Sequence, residues 1–216
     1  MTINILGISG SPVKKGNVET YLDAMLEGIE SEDINHELVH LSKLEIKDCL
    51  HCNFCISKQK NGRYCSIKDD AQAVFEKIED ADIIVLASPV YIMRTSARMA
   101  ALLDRMRVFI FGNIAGGRLR NKIGVSAAVS WARHGGVETT HLSHILAFMT
   151  YEMIPVSVHK GISPLGASAV SSKNGSGVFD PSVRLGIEHD EDGSLSAKAL
   201  MERAVGLARI IKKGLA

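Results

Sequence analysis

Four cysteines lie close together in the sequence and are the residues best suited to metal or redox chemistry. The run Cys49-x2-Cys52-x2-Cys55-x9-Cys65 places three thiols within seven residues, and the fourth returns after a loop. Zinc sites usually combine two separate cysteine pairs, whereas three thiols at this spacing open the ligand run of bacterial [4Fe–4S] ferredoxins. The spacing therefore predicts a [4Fe–4S] cluster held by all four thiolates, with metal-free redox thiols and a zinc ion as alternatives.

The surroundings of these cysteines also bear on their chemistry. The rest of the chain has no cysteine, which is not the distribution of a disulfide framework. His51 lies inside the run and is expected to be a solvent-facing spacer. Cations outnumber the nearby carboxylates, and they are Lys43, Lys47, Lys58, Lys60, Arg63 and Lys68. We expect these cations to neutralise the thiolates or to steer an acidic electron donor, with a solvated lysine-rich loop as the alternative.

A loop rich in small residues follows the first apolar segment and opens a helical pattern. It reads Gly7-Ile8-Ser9-Gly10-Ser11-Pro12-Val13-Lys14-Lys15-Gly16-Asn17. A helix N-terminus offers unpaired N–H groups and a favourable dipole to a phosphate. The loop matches neither the dinucleotide fingerprint nor the P-loop. We predict a phosphate cradle in which Ser9 and Ser11 add hydroxyl donors and Asn17 caps the helix or donates its amide, with a ligand-free turn as the alternative.

Two further loops follow apolar strands and carry aromatic residues. The first is Ser88-Pro89-Val90-Tyr91-Ile92-Met93-Arg94-Thr95-Ser96, where a proline and a tyrosine could wall a flat heterocycle. The second is Ser130-Trp131-Ala132-Arg133-His134-Gly135-Gly136, a mixture common at ligand sites. The alternative is that the aromatic rings only pack at strand ends. Together with the phosphate cradle, the two loops predict one mononucleotide site.

Short β-branched segments alternate with segments of helical periodicity. The predicted strands cover residues 3–8, 36–41, 82–87, 123–129 and 154–158, and apolar residues recur at helical spacing over 18–29, 99–106 and 200–211. This alternation predicts a doubly wound α/β fold, a parallel sheet of five strands in the order 2-1-3-4-5 with the cysteine-bearing loop after strand 2. Ligands of such sheets bind beyond the carboxyl ends of the strands, which points to the loops after strands 1, 3 and 4.

Length and composition limit the possible classes of protein. The 216 residues are 46% hydrophobic, which predicts one domain over 1–216. Residues 43–69, with the cysteines, and the Gly/Ser-rich residues 160–193 exceed ordinary loop lengths. The 25 basic and 24 acidic residues leave no general basic field for nucleic acid. Because no apolar run approaches the roughly 18 residues of a membrane span and no leader is evident, we expect a soluble cytoplasmic protein without a membrane partner.

Two groups of motifs resemble a known family over most of the chain. Gly7-Ile8-Ser9-Gly10-Ser11-Pro12 with Gly16-Asn17, and Ser88-Pro89-Val90-Tyr91 followed by Asp104-Arg105, resemble the NADPH-dependent FMN reductase branch of the flavodoxin-like proteins. The resemblance implies FMN, with its phosphate at the first segment and its ring at the second. Val13 stands where relatives often have arginine, so Lys14 or Lys15 is expected to supply the charge. The cofactor-binding candidates are Ser9, Ser11, Pro12, Lys14, Gly16, Asn17, Pro89, Val90, Tyr91, Ile92, Ser130 and Trp131.

The cysteine run resembles that of the iron–sulfur flavoproteins, a subgroup of this family in which a compact four-cysteine motif binds [4Fe–4S]. Its nine-residue last spacer is longer than usual for that subgroup. The resemblance implies a redox relay from a ferredoxin-like donor through the cluster to FMN and then to a small-molecule acceptor. One alternative is an NAD(P)H-dependent flavin or quinone reductase, or a flavin-dependent dehydrogenase, without a cluster. Another is a zinc-binding module without catalysis.

The predicted strand order has a consequence for assembly. The cysteine loop leaves strand 2 on the phosphate side of the flavin site, whereas the ring loops follow strands 3 and 4. We therefore expect a homodimer or homotetramer in which the cluster of one chain approaches the flavin of another. Residues 160–193 are expected to contribute to that contact.

Overall fold

Six parallel strands form one sheet within the computed structural model, which describes residues 2–29, 31–159 and 164–215. The strands are β1 (Ile3–Ser9), β2 (Ile34–His40), β3 (Ile83–Pro89), β4 (Ile123–Ser130), β5 (Ile154–Pro155) and β6 (Ala167–Val170). β3 and β4 are buried along their whole length. Such burial is expected for central strands of a parallel sheet that has helices on both faces.

The order of the strands is β2-β1-β3-β4-β5, which confirms the predicted topology. The sixth strand shares the outer edge of β4 with β5. β5 pairs with Ile123 and Gly124 at the start of β4, and β6 pairs with the residues from Ala127 to Ser130 at its end. The predicted fifth strand over 154–158 was therefore correct in place but too long, since only Ile154–Pro155 is strand.

Helices cover both faces of the sheet. They are α1 (Asn17–Glu27), α2 (Phe54–Ser57), α3 (Ala71–Asp80), α4 (Ala97–Arg105), α5 (Val108–Phe111), α6 (Val137–Thr150) and α7 (Glu191–Leu215). α1 and α7 bury their apolar sides against one face. α3, α4, α5 and α6 form the core on the other face. No helix in the described part of the chain combines the length and the apolar character that a membrane crossing requires.

The cysteine-bearing loop lies between β2 and α3 and packs on the second of these faces. Cys55 and Tyr64 belong to the buried apolar core on that face of the sheet. The loop is also anchored by hydrogen bonds, because Gln59 Nε2 donates to the carbonyl of Tyr64 at 3.3 Å and to that of Val108 at 3.2 Å. The backbone N–H of Asn113 donates to the carbonyl of Cys55 at 3.1 Å. The loop is therefore held by the core of the fold.

The segment predicted as a long loop over residues 160–193 contains regular structure. Residues 160–163 lie outside the described residues. The remainder contains β6, two short 3₁₀ turns at Lys173–Gly175 and Gly186–His189, and the start of α7. The prediction missed β6 because its sequence, Ala-Ser-Ala-Val, lacks the β-branched run that marks the other strands.

Candidate functional site

The small-residue loop after β1 lies tightly against the start of α4. Ser96 Oγ donates to the carbonyl of Gly10 at 2.7 Å and accepts from the N–H of Met99 at 3.2 Å. A Cβ at Gly10 would lie 2.9 Å from both Met99 Cβ and Ser96 Oγ, so only glycine fits there. Ser96 was not predicted as the N-cap of α4, although a serine before a helical pattern is a common N-cap.

Hydroxyl groups shape the inside of the same loop. Ser9 and Ser11 are both buried. Ser9 Oγ accepts from the N–H of Ser11 at 3.3 Å, and Ser11 Oγ accepts from the N–H of Val13 at 3.1 Å. Pro12 and Lys14 are exposed at the rim. The loop thus combines two buried hydroxyl groups with an exposed lysine.

The start of α1 differs in detail from the prediction. Gly16 is buried and occupies the N-cap position in an extended conformation, without a side-chain cap. Asn17 is the first helical residue and does not cap the helix. Its Oδ1 instead accepts from the N–H of Ile187 at 3.3 Å, because the turn before α7 packs beside it. The side chain of Asn17 therefore links the loop to the C-terminal part of the chain.

Glu19 is a buried carboxylate close to this loop. Its Oε2 accepts from the N–H of Lys15 at 2.7 Å, and its Oε1 lies 2.9 Å from His40 Nδ1 on β2. Lys15 has a positive φ of 49°, which non-glycine residues adopt rarely. Glu19 thus holds Lys15 in that conformation while its own charge is directed to the backbone and to His40.

The loop after β3 forms a tight two-residue hairpin that exposes apolar side chains. The N–H of Tyr91 donates to the carbonyl of Arg94 at 2.9 Å, and the reverse bond is 3.2 Å. Ile92 and Met93, between them, have φ values of 48° and 60°. A β-branched residue in this region is strained by about 1–3 kcal/mol. Ile92 is nevertheless 91% exposed, so the strained turn holds an apolar side chain at the surface.

The loop after β4 lies beside that hairpin, and its Trp131 stacks on Phe179 of a later segment. The rings of Trp131 and Phe179 are nearly parallel, with centroids 6.5 Å apart, and they are 47% and 75% exposed. A Cβ at Gly136 would lie 2.6 Å from Met93 Cα, so the two loops are in direct contact. Ser130 is buried, and its Oγ donates to the carbonyl of Ala132 at 2.9 Å. Phe179 was not predicted, because nothing local in the sequence indicates that it stacks on Trp131.

A buried network of hydrogen bonds links the loop after β3 to β4 and α6. Thr95 Oγ1 donates to Ser88 Oγ at 3.0 Å and lies 3.1 Å from His144 Nε2. Ser126 Oγ, on β4, lies 2.7 Å from His141 Nδ1 and 2.8 Å from His144 Nδ1. Burial lowers the pKa of His141 to about 4. Burial and the neighbouring His141 lower the pKa of His144 to about 3, so both imidazoles are neutral at physiological pH.

All four cysteines line one small cavity at the foot of the cysteine-bearing loop. Cys55 is buried, Cys49 and Cys65 are half-buried, and Cys52 is exposed. The remaining lining residues are Leu50, Asn53, Phe54, Ile67, Arg105, Arg107 and Val108. His51 is exposed and is not among them, as its prediction as a spacer requires. The cavity is therefore lined by thiols, apolar side chains and two arginines.

The thiols of this cavity have different electrostatic environments. The Cys52 sulfur lies 3.0 Å from Ser66 Oγ, and this hydrogen bond, together with one from the backbone of Phe54, lowers the pKa of Cys52. Burial raises the pKa of Cys55, and the charge of Arg107 opposes that rise. Cationic side chains beside thiols favour the thiolate form, which is the form that binds metals.

The four thiols share one cavity without converging on a single point. Within residues 2–29, 31–159 and 164–215, no three Cys, His, Asp or Glu side chains converge on one position that could hold a metal ion. The four cysteines nevertheless surround one cavity. In a [4Fe–4S] cluster each thiolate binds a different iron atom, so the ligands surround the group without meeting at a point.

Structural comparison identifies proteins of the same fold. RosB with a bound flavin intermediate superposes with a TM-score of 0.75, covering 98% of this chain and 81% of RosB at 14% identity. A WrbA-like flavodoxin of Agrobacterium tumefaciens gives a TM-score of 0.61, covering 97% of this chain and 99% of that protein at 13% identity. At these identities the likeness concerns the fold alone, which is flavodoxin-like.

Sequence comparison gives closer relatives. Residues 3–163 match the NADPH-dependent FMN reductase family. An iron–sulfur flavoprotein of Methanocaldococcus jannaschii is 32% identical over 211 residues, which are 98% of this chain and 100% of that protein. One of Archaeoglobus fulgidus is 33% identical over 210 residues, covering 97% of this chain and 98% of that protein. The chain therefore belongs to the NADPH-dependent FMN reductase family and, within it, to the iron–sulfur flavoprotein subgroup.

Proposed function

We propose that the chain is a cytoplasmic, flavin-dependent oxidoreductase that binds FMN and a [4Fe–4S] cluster and carries electrons from a one-electron donor through the cluster to FMN and on to a small-molecule acceptor. The observation that carries this proposal is the single cavity lined by all four cysteines, in a chain that is 32% and 33% identical to two iron–sulfur flavoproteins. The bound cofactors supply the electron-transfer chemistry, and the chain supplies their binding and electrostatics.

The FMN phosphate is assigned to the loop after β1. Backbone N–H groups at the start of α1 would face it, and Lys14 would supply a cation at the rim. The phosphate-binding residues in this proposal are Ser9, Ser11, Pro12, Lys14, Gly16 and Asn17. The geometry of Ser9 supports the assignment, since its buried Oγ accepts from the N–H of Ser11 and its own O–H would donate to the phosphate.

The isoalloxazine ring is assigned to the two contacting loops after β3 and β4. The proposed contacts are Pro89, Val90, Tyr91, Ile92, Ser130 and Trp131. Exposed apolar side chains in this region, together with Met93 and Phe179, would cover a flat aromatic ring and exclude water. The strained hairpin and the neutral histidine network behind it would fix the loops that hold the ring.

The cluster is assigned to Cys49, Cys52, Cys55 and Cys65. Their electron donor in this proposal is an acidic protein such as a ferredoxin, because the surrounding cations Lys43, Lys47, Lys58, Lys60, Arg63 and Lys68 are all exposed. Leu50 and Ile56 are exposed in the same loop and would give a docking protein an apolar contact. Exposed cations and exposed apolar side chains on one loop are suited to transient electron-transfer encounters.

A second candidate function is direct reduction of the flavin by NAD(P)H. The family description itself favours it, since the matching family is that of NADPH-dependent FMN reductases. In that case the flavin would be reduced by NADPH at the same rate with or without the cysteines. A dedicated flavin-dependent dehydrogenase would behave in the same way toward its own substrate.

Assembly is part of the proposal. We expect a homodimer or homotetramer in which the cluster of one chain lies near the flavin of another. Trp131 and Phe179 extend from neighbouring segments at the ring side and stay partly exposed in the single chain. A partner chain that covered them would remove this apolar surface from water.

Anaerobic purification tests the proposed cofactors. We expect a brown protein with one FMN per chain and with iron and sulfide in the proportions of a [4Fe–4S] cluster. Cys55→Ala should lose iron and sulfide and keep FMN, whereas the control His51→Ala should keep all three, since His51 lies outside the cavity. A yellow protein without iron would favour the reductase, and a colourless protein containing zinc would favour the non-catalytic module.

A further inference from the structure

A buried arginine lies between the cysteine cavity and the core. Arg105 is the last residue of α4 and is only 1% exposed. The motif Asp104-Arg105 contributes to the family resemblance, but the proposed cofactor contacts do not use it. A guanidinium has five N–H groups in a rigid planar fork, so the partners of Arg105 can be counted.

Most of these N–H groups bind the two ends of the cysteine-bearing loop. Nη1 and Nη2 donate to the two carboxylate oxygens of Asp69 at 2.7 and 3.1 Å, and Nη1 also donates to the carbonyl of Lys47 at 2.9 Å. Asp69 in turn accepts from the N–H of Lys47 at 3.0 Å and from that of Ala71 at 3.2 Å. Lys47 precedes the first cysteine and Asp69 follows the last, so this buried pair closes the loop.

The Nε donor of Arg105 is not used by these contacts. This Nε is buried and has no hydrogen-bond partner among the residues that the structure describes. The side chain of Arg105 lines the same cavity as Cys65, and Asp69 and Cys65 together raise the pKa of the guanidinium against the effect of burial. A buried donor without a partner costs free energy, which a sulfur acceptor would recover.

We propose that Arg105 donates a hydrogen bond to the sulfur of Cys65 in the cluster-bound protein, positioning this ligand and raising the reduction potential of the cluster. The inference deepens the proposed function and rests on it. Reduction adds negative charge to the cluster and its thiolates, so an N–H directed at a ligand sulfur stabilises the reduced state more than the oxidised state.

The direction of the N–H bonds should matter more than net charge. Asp69 balances the charge of Arg105 at close range, and the side chains of both are 1% exposed. Lysine at position 105 would keep the positive charge but lose the planar fork that can bind Asp69 and Cys65 at once. Arg105→Lys therefore separates a directed hydrogen bond from simple charge neutralisation.

The test is an anaerobic redox titration of the cluster in the complete holoprotein, monitored by electron paramagnetic resonance. Arg105→Lys should shift the one-electron reduction equilibrium about tenfold toward the oxidised cluster, a fall in midpoint potential of about 59 mV. The matched control is Arg98→Lys on the same helix, where the guanidinium donates to the carbonyl of Leu41 at 3.2 Å and should leave the potential unchanged. The double variant Arg105→Gln with Asp69→Asn removes both buried charges together and should show the same fall.

A second measurement detects the hydrogen bond in the unmodified protein. With ¹⁵N-labelled arginine, the reduced cluster should show a weak ¹⁵N hyperfine coupling that Arg98→Lys keeps and Arg105→Lys loses. Absence of this coupling in a cluster-containing wild type would overturn the inference, as would an unchanged potential in Arg105→Lys. If neither variant at position 105 retains iron, the wild-type coupling alone decides. A wild type without iron would instead refute the proposed function, and with it the inference.

Discussion

Acidification is expected to destabilise the chain through the two buried histidines of α6. The folded-state pKa values of His141 and His144 are about 4 and about 3, against roughly 6.5 in an unfolded chain. Between these values the unfolded state binds more protons, so the free energy of unfolding falls as the pH falls. The unfolded-state pKa of about 6.5 lies about 1.5 units above pH 5, and each unit corresponds to about 1.4 kcal/mol. At about pH 5 each histidine should therefore lower the free energy of unfolding by about 2 kcal/mol, and the pair by about 4 kcal/mol.

Urea unfolding at about pH 7.5 and about pH 5 measures this effect. The comparison is between wild type and His141→Asn/His144→Gln, at equal cofactor content, because the amides are polar but do not titrate in this range. The loss of stability on acidification should be about 4 kcal/mol smaller in the double variant and about 2 kcal/mol smaller in each single variant. The control His134→Gln, at an exposed position, should leave the loss as in wild type.

On acidification over this range, wild type should lose more unfolding free energy than the double variant. A difference between the two of less than about 1 kcal/mol would refute this reasoning, since one pKa unit corresponds to about 1.4 kcal/mol. The buried histidines would then not be neutral in the way that their surroundings require. Release of FMN should accompany the loss of stability, because Thr95 of the same network stands in the loop assigned to the ring.

Three further predictions concern the proposed flavin site and its assembly. Ser11→Asp should expel FMN by placing a carboxylate against the phosphate, whereas Ser11→Asn should retain it; full flavin occupancy in Ser11→Asp would place the phosphate elsewhere. Gly10→Val should weaken FMN binding at least about tenfold, because the new Cβ alone would lie 2.9 Å from Met99 Cβ and Ser96 Oγ. The control Gly206→Ala should leave FMN binding unchanged, because a Cβ at Gly206 meets nothing within 4 Å. A heterodimer of a Cys55→Ala chain with a Ser11→Asp chain should still transfer electrons from cluster to flavin, and a monomeric wild type, or an inactive hybrid beside an active wild type, would contradict transfer between chains.

The central sheet could be predicted from the sequence because its signals are local. The β-branched runs of β1, β3 and β4 alternate with helical periodicity, and a parallel sheet follows from that alternation. β6 could not be predicted, because Ala-Ser-Ala-Val becomes a strand only by pairing with the end of β4. The fixed geometry of the sheet edge overrides the weak propensity of this short segment.

The site shows the same division between local and distant signals. The cysteine run, the glycine of the phosphate loop and Tyr91 are visible as motifs in the sequence. Phe179 stacks on Trp131 from a segment 48 positions later, and Arg105 reaches Asp69 across 36 positions. Contacts of that separation depend on how the elements pack, so the sequence indicated the motif Asp104-Arg105 without its partners.

The most direct test of the proposed relay follows the flavin absorbance by anaerobic stopped flow after mixing with a reduced ferredoxin. Wild type and Cys55→Ala are compared at equal FMN occupancy, with His51→Ala as the control. The proposed function predicts rapid reduction of FMN in wild type and His51→Ala, and a loss of at least about a hundredfold in Cys55→Ala, because electrons would have to reach the flavin without the cluster. Reduction of FMN in Cys55→Ala at the wild-type rate would contradict the relay.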